Sequence, residues 1–186
     1  MPGYQVILDA CVLVNAALRD TLLRIAEPPR LYLPRWSEEI IDETRRTLET
    51  KIGLSPTQTA HLIHELRSHF GDAWVQGYEA LTPLMETHPG DRHVLAAAVR
   101  CGAQTIVTLN LRHFPDAALL PWDVVAQSPD EFLVHQYHLA PEVVVQKLKE
   151  QAERHGGIEW LLGIHSKVAP EFVALLRTNA GLWTGE

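Results

Sequence analysis

The sequence predicts an α/β fold with a central, mainly parallel sheet and a C-terminal helical extension. Two short apolar runs, 5–8 and 105–109, have the composition of strands buried on both faces, and each ends at a polar residue. A helical pattern follows the first run and precedes the second, which is the order of βαβ units. From residue 141 onward the pattern is helical only. We therefore place a core domain at 1–135 and a helical extension at 136–186.

Composition describes an ordinary globular protein. The chain has 186 residues, of which 46% are hydrophobic and 21% charged. No apolar run approaches the roughly 20 residues of a membrane span, and the N-terminus lacks the layout of a signal peptide. Cys11 and Cys101 are far apart and belong to no CxxC motif, so we expect two reduced, packed thiols and a cytoplasmic protein.

The net charge of −7 argues against a broad basic face for non-specific nucleic-acid binding. It does not exclude a nuclease, because an acidic metal site itself lowers the net charge. A local set of arginines could still contact phosphate, although a solvated surface is the commoner place for any one of them. This set is Arg24, Arg30, Arg35, Arg45 and Arg46.

The first strand delivers an acid to the start of a helix. The run 5–8 ends at Asp9, and helical spacing then predicts one helix over 11–26, stopped by Pro28 and Pro29. Such an acid lies at the carboxyl edge of a parallel sheet, where α/β folds place ligands. It could equally be the cap of the helix, and this stretch alone does not separate the two interpretations.

The next acid of interest is on the second predicted helix. A short strand at 31–33 should end at Pro34, and Ser37 should cap the helix that follows. Glu43 falls nearest the edge of the apolar stripe of this helix, so it is the acid best placed to reach a half-buried site. Taken alone, it is better explained as a surface glutamate paired with an arginine.

A third helix, expected between Ser55 and Gly71, contains histidines that could suggest zinc. His64-Glu65 is one residue too far from His69 for an HExxH motif, so the two imidazoles leave the helix on different faces. We interpret these histidines as surface residues.

The stretch 88–110, like the N-terminal stretch, combines a helical pattern with a buried strand that ends at a polar residue. Asp91 follows a Pro-Gly turn and opens an alanine-rich helix, and the strand 105–109 then ends at Asn110, with Thr108 close by. Alone, Asp91 is most often a helix cap. However, βαβ connectivity would bring these strand ends to one edge of the sheet.

Short elements complete the chain. We expect a loop at 111–120, a last strand at 124–125 and a helix starting at Ser128. Helices of the extension are expected at 141–155, 158–163 and 170–178.

The polar residues expected near one sheet edge are Asp9, Glu43, Asp91 and Asn110. Carboxylate oxygens without cysteine or histidine partners suit Mg²⁺ or Mn²⁺. Such an ion can lower the pKa of a bound water, hold a phosphate oxygen and neutralise charge as a phosphodiester is attacked. Without a metal, repulsion among three carboxylates should raise the pKa of at least one of them.

The chain resembles PIN-domain ribonucleases, especially the VapC-type toxins of bacterial toxin–antitoxin pairs. The resembling segments span nearly all of 4–133 and are ILDACVLVNA, SEEIIDETRRTL, HPGDRHVLAAAVRCGAQTIVTLNLRHFP and VVAQSPDEFL. The resemblance implies a PIN-like three-layer α/β/α fold, Mg²⁺- or Mn²⁺-dependent cleavage of single-stranded or structured RNA, a homodimer and a small antitoxin protein. It also implies catalytic roles for Asp9, Glu43, Asp91 and Asn110, with the three acids as metal ligands.

The chain departs from the family pattern at several positions. Ala10 stands where Thr or Ser is common, and Cys11 stands where Asn is usual. Asn110 replaces an acid, and His113 stands where relatives often have another Asp. These changes lower the negative charge of the site, so a second metal should be held weakly or not at all.

Other functions fit the residues less well. A phosphatase of the haloacid dehalogenase type needs an acid where Cys11 stands, and a dinucleotide enzyme needs a glycine-rich turn after the first strand. A catalytically weakened PIN scaffold that binds RNA or a protein without cleaving RNA is left as the alternative. Three carboxylates are present, so the sequence favours the nuclease. The extension could cover the site, dimerise or receive the antitoxin, or simply pack on the core.

Overall fold

The computed structural model describes residues 3–179 and contains one five-stranded parallel sheet. The strand order is β3-β2-β1-β4-β5, and every neighbouring pair is parallel. With helices between the strands, this confirms the predicted three-layer α/β/α fold with its C-terminal helical extension. The strands are β1 Gln5–Leu8, β2 Leu33–Ser37, β3 Trp74–Val75, β4 Thr105–Val107 and β5 Val125–Gln127.

Helices make up most of the remaining chain. A π-helical turn, Leu48–Ile52, continues the third helix, and 3₁₀ turns include Pro89–Asp91 and Leu111–His113. No helix within residues 3–179 is long and apolar enough to cross a membrane. The α-helices are α1 Ala10–Val14, α2 Ala16–Ala26, α3 Glu38–Thr47, α4 Pro56–His69, α5 Arg92–Cys101, α6 Asp116–Leu119, α7 Pro129–Leu139, α8 Pro141–Arg154, α9 Ile158–His165 and α10 Pro170–Thr178.

The single helix predicted over 11–26 is wrong, because the chain breaks it at Asn15. This residue has an extended backbone, and its side chain accepts a hydrogen bond from the Leu18 N–H at 3.1 Å. An asparagine that bonds a nearby N–H group competes with helix continuation and caps the next helix instead. Asn15 therefore ends α1 and starts α2.

The strand predicted at 31–33 is displaced, since β2 begins at Leu33 and continues through Pro34 to Ser37. The Leu33 N–H donates to the Tyr4 carbonyl at 2.8 Å, so the nitrogen of the next residue points away from β1. On that side β3 pairs with β2 further along, at Trp36 and Ser37. The missing N–H of Pro34 therefore costs the sheet no hydrogen bond.

Other boundaries also differ from the prediction. The expected loop at 111–120 contains a 3₁₀ turn and the short helix α6, which begins just after Pro115. The last strand lies at Val125–Gln127, slightly later than expected, and the helix expected at 158–163 runs on to His165. The caps at Ser37, Ser55 and Ser128 are confirmed.

The C-terminal helices pack on the core. Helix α8 lies against α2 and α7, α9 lies against α2 and α8, and α10 lies against α7 and α9. Val144, Leu148 and Phe172 are fully buried and join the same apolar cluster as Ile7 of the central strand. Helix α7 crosses the expected boundary, and the division of the chain at residue 135 stays a prediction.

Sheet order places the ends of β1 and β4 side by side. Leu8 is in register with Val107, and the Asp9 N–H donates to the Val107 carbonyl at 3.1 Å. The chain passes from β1 to the neighbouring strand β2 through α1 and α2, whereas α5 leads from β3 across the sheet to β4, so the direction of strand succession reverses between β1 and β4. Parallel sheets bind ligands at such a point.

Candidate functional site

The four polar residues singled out in the sequence line one pocket at this sheet edge. The pocket has a volume of about 500 Å³, and its wall includes Asp9, Glu43, Asp91 and Asn110. The fold therefore brings together residues from the end of β1, from α3, from the start of α5 and from the end of β4. Their catalytic and metal-binding roles stay predictions.

Asp9 is nearly buried, with 3% of its surface exposed. Its Oδ1 accepts a hydrogen bond from the Ala10 N–H at 2.7 Å, so it caps α1 as well as lining the pocket. Its Oδ2 accepts from the Thr108 hydroxyl at 2.6 Å and from the Cys11 thiol at 3.1 Å. Three donors fix this carboxylate and stabilise its charge.

Cys11 belongs to the same hydrogen-bond network. Its Sγ accepts from the Leu109 N–H at 3.2 Å while its thiol faces Asp9. Burial, followed by the charge of Asp9, raises the pKa of the Cys11 thiol to about 12, so this side chain keeps its proton and acts as a donor. The sequence predicted a packed thiol here but gave no sign of this contact.

The pocket changes the proton affinity of Glu43. Its burial raises the pKa of Glu43, and the charges of Asp9 and Asp91 raise it further, while His93 and Arg46 lower it. His93 is 4% exposed, and its Nε2 lies 3.7 Å from Oε2 of Glu43. The predicted rise in the pKa of one carboxylate is confirmed, although burial contributes more than repulsion.

Asp91 occupies the N-cap position of α5, but its side chain faces two histidines. Its Oδ2 lies 3.0 Å from Nδ1 of His88 and 3.0 Å from Nδ1 of His113. The family resemblance placed His113 at a site position, but neither His88 nor His113 was predicted to contact Asp91. The only local signal is the spacing of His88, three residues before the acid, because His113 reaches the site through the folding of another loop.

Basic and hydroxyl-bearing residues also line the pocket. Arg46, Thr47, Thr50 and Lys51 line it, and they come from the end of α3 and the π-helical turn. Of the arginines that were considered for phosphate binding, Arg46 lies here. The others contact neighbouring groups: Arg24 contacts Asp20, Arg30 contacts Asp72, Arg45 contacts Asp42 and Glu49, and Arg35 donates to Gln5 and to the Asp72 carbonyl.

The donor atoms of the pocket fit a hydrated Mg²⁺ or Mn²⁺. Asp9, Glu43 and Asp91 offer carboxylate oxygens, which are the ligands these ions prefer. The three carboxylates are spaced too widely for all their nearest oxygens to lie within 4.8 Å of one another. That spacing suits an ion that keeps several of its waters.

The histidines of α4 are exposed, as the sequence predicted. His61, His64 and His69 all lie on the surface, and Nδ1 of His69 contacts the carbonyl of Glu65 within the same helix. These residues form no part of the pocket described above.

Comparisons with known proteins agree with this architecture. Residues 5–112 match a family model described as the PIN domain. The protein named "Putative ribonuclease VapC50" from Mycobacterium tuberculosis is 53% identical over 70 residues, which are 38% of this chain and 41% of that protein. The matched part thus spans less than half the length of this curated relative. No solved structure matches the chain.

Proposed function

Because the chain belongs to the PIN domain family, we propose that it is a metal-dependent endoribonuclease that acts as the toxin of a toxin–antitoxin pair. The observation that carries the proposal is the pocket that gathers Asp9, Glu43, Asp91 and Asn110. The name of the mycobacterial relative, a ribonuclease, supports the same activity. The proposed substrate is single-stranded or structured RNA.

Asp9, Asp91 and Glu43 would hold the ion, Mg²⁺ or Mn²⁺. When bound, such an ion supplies an activated water and charge neutralisation at a phosphodiester. Three hydrogen-bond donors fix the orientation of the Asp9 carboxylate, which favours metal binding. Burial and the charges of the other two acids raise the pKa of Glu43, and a cation would relieve the part that comes from those charges.

The remaining pocket residues position the RNA. Arg46 and Lys51 supply positive charge on the pocket wall, where they can hold phosphates on either side of the bond to be cleaved. The hydroxyls of Thr47 and Thr50 are on the same wall and can donate to phosphate oxygens. Asn110 contributes an uncharged amide, which can orient a phosphate or a water without adding to the repulsion.

A catalytically weakened scaffold that binds RNA or a protein is the second candidate. Two observations favour it: Asn110 is uncharged, and Oδ2 of Asp91 is already in contact with two histidines. The two candidates differ in one measurable property, which is cleavage of RNA that depends on a divalent cation and on the pocket acids.

The test is cleavage of a fluorescent RNA by the purified chain with Mg²⁺, with Mn²⁺ and with a chelator. We expect Asp9→Asn and Asp91→Asn each to abolish cation-dependent cleavage while retaining the folded circular dichroism spectrum. Asp116→Asn is the matched control, since Asp116 is exposed on α6, outside the pocket. Equal cleavage by both pocket variants and the parent would show that the site is wrongly assigned.

The partners belong to the same proposal. The resemblance to VapC-type toxins implies a small antitoxin protein and a homodimer, both acting in the cytoplasm, a compartment that suits the two free cysteines. A short neighbouring gene for a small DNA-binding protein would support the antitoxin. Expression of the parent should arrest growth, Asp9→Asn should not, and co-expression of that small protein should restore growth.

A further inference from the structure

We propose that His88, Asp91 and His113 form a second cation site, which takes a transition metal such as Zn²⁺ and shares Asp91 with the acidic pocket. Three possible ligand atoms of these residues lie within 4.8 Å of one another. Two of them are imidazole nitrogens, which Mg²⁺ rarely accepts and which Zn²⁺, Ni²⁺ and Co²⁺ prefer. The donor chemistry of this site therefore differs from that of the carboxylate pocket.

Backbone hydrogen bonds hold the three ligands in place. The His88 N–H donates to the His113 carbonyl at 3.1 Å, which ties together the loops before α5 and after β4. The Asp91 N–H donates to the His88 carbonyl at 2.8 Å, and the His113 N–H donates to the Asn110 carbonyl at 2.8 Å. These backbone hydrogen bonds hold the three residues in place, which lowers the entropic cost of binding an ion.

Nδ1 of His88 faces both a donor and an acceptor. Its Nδ1 lies 3.3 Å from the Gly90 N–H, for which it acts as acceptor, and 3.0 Å from the Asp91 carboxylate. One ring nitrogen cannot accept a hydrogen bond and donate another at the same time. One tautomer of His88 donates from Nδ1 to Asp91 and gives up the Gly90 contact. In the other tautomer Nδ1 presents its lone pair to the carboxylate, and a metal ion between the two atoms would bind both.

Binding requires a small movement of one ring. The His88 and His113 rings stack with centroids 4.3 Å apart and planes 17° apart. Imidazole lone pairs lie in the ring plane, so a single ion in both planes needs one ring to turn about its outer torsion. That torsion has a broad, shallow profile in histidine, and the His88 side chain is 53% exposed, so this ring can turn.

The resulting site resembles a three-ligand zinc site. Two imidazoles and one carboxylate occupy three of four tetrahedral positions, and water completes the fourth. Since Asp91 also lines the acidic pocket, an ion held by the histidines would draw this carboxylate away from Mg²⁺. Zn²⁺ should therefore inhibit Mg²⁺-dependent cleavage, a consequence that rests on the proposed function, whereas Zn²⁺ binding itself does not.

The test is a Zn²⁺ titration of the whole metal-free chain against a chromophoric chelator, without Mg²⁺, because Mg²⁺ in the acidic pocket would compete for Asp91; Glu43→Gln instead weakens that pocket. We expect one Zn²⁺ per chain in the parent and also in Glu43→Gln. The double variant His88→Ala/His113→Ala should bind Zn²⁺ at least about tenfold more weakly, since even an outer-shell change costs that much. His61→Ala, which alters an exposed histidine on α4, should bind like the parent.

His88→Ala alone covers the case in which the double variant does not fold, because this side chain is more than half exposed. Unchanged Zn²⁺ affinity in His88→Ala, or no stoichiometric binding by the parent, overturns the proposal. If Zn²⁺ binds as expected but the parent cleaves no RNA with Mg²⁺, the second site stands and the nuclease assignment fails. The two proposals can therefore fail separately.

Discussion

The Thr108 hydroxyl donates a 2.6 Å hydrogen bond to Oδ2 of Asp9, which joins the ends of two adjacent parallel strands. Thr108 is fully buried and also accepts a hydrogen bond from the Asn110 N–H at 3.0 Å. The Thr108 side chain thus orients the Asp9 carboxylate and fixes the backbone of Asn110. Hydrogen bonds to a buried carboxylate are strong, so this contact should matter to both stability and activity.

Thr108→Val should reduce stability and RNA cleavage together. The change keeps the shape of the side chain but removes the hydroxyl, and a lost hydrogen bond to a charged group costs roughly 1.5–3 kcal/mol. The free energy of unfolding in urea and the cleavage rate with Mg²⁺ measure the two effects. Thr108→Ser, which keeps the hydroxyl, is the matched control and should retain most of the cleavage. Equal losses in both variants would contradict a role for the hydrogen bond.

The proximity of Asp9 and Thr108 was predictable from the sequence. Two buried strand patterns each end in polar residues, and parallel connectivity places their ends at one edge. The contact of Asp91 with His113 was not predictable, because it depends on how two irregular loops fold against each other. The helix break at Asn15 was missed for a related reason: a local side-chain hydrogen bond overrode a periodic apolar pattern.

Glu43→Gln should stabilise the metal-free protein at neutral pH. The pKa of Glu43 is raised in the folded state, so its ionisation lowers stability as the pH rises through the value of the unfolded chain, 4.5. Glutamine removes this cost, which solvent screening keeps small because the side chain is 34% exposed. Urea unfolding at pH 7 with a chelator measures the gain.

The same variant should lose the stabilisation that Mn²⁺ gives the parent. An ion that binds the folded state alone raises the melting temperature, and removing one proposed ligand should reduce that rise. Glu86→Gln changes an exposed glutamate elsewhere and serves as the control. A melting temperature of the parent that does not respond to millimolar Mn²⁺ would favour the non-catalytic scaffold.

Lys51→Ala should weaken RNA binding and reduce its dependence on salt. Lys51 lines the pocket, and each lost phosphate contact on a single strand lowers the slope of log affinity against log salt by about 0.7. Binding is measured by fluorescence anisotropy in an Asp9→Asn background, which prevents cleavage. Lys167→Ala, at an exposed lysine between α9 and α10, should leave the slope unchanged. Arg46 is less suitable, because its charge also lowers the pKa of Glu43.

His165 ties α9 to α2 inside the protein. Its Nε2 lies 2.8 Å from the Thr21 hydroxyl oxygen, and that hydroxyl also donates to Gln151 Oε1 at 2.6 Å. Its Nδ1 is buried and finds no hydrogen-bond partner in the described part of the chain. Protonating Nδ1 would bury a charge, and burial accordingly lowers the pKa of His165 from 6.5 to about 4.

Acid should therefore loosen the attachment of the C-terminal helices. A folded-state pKa below the unfolded value means that unfolding takes up a proton between about pH 6.5 and pH 4, so stability falls as the pH falls through this window. From pH 8 to pH 5 this histidine alone should lower the free energy of unfolding by about 2 kcal/mol. His165→Gln, which can still donate to Thr21, should flatten this dependence in urea unfolding, whereas His61→Gln on the surface should not. An equally steep loss in His165→Gln would place the titrating group elsewhere.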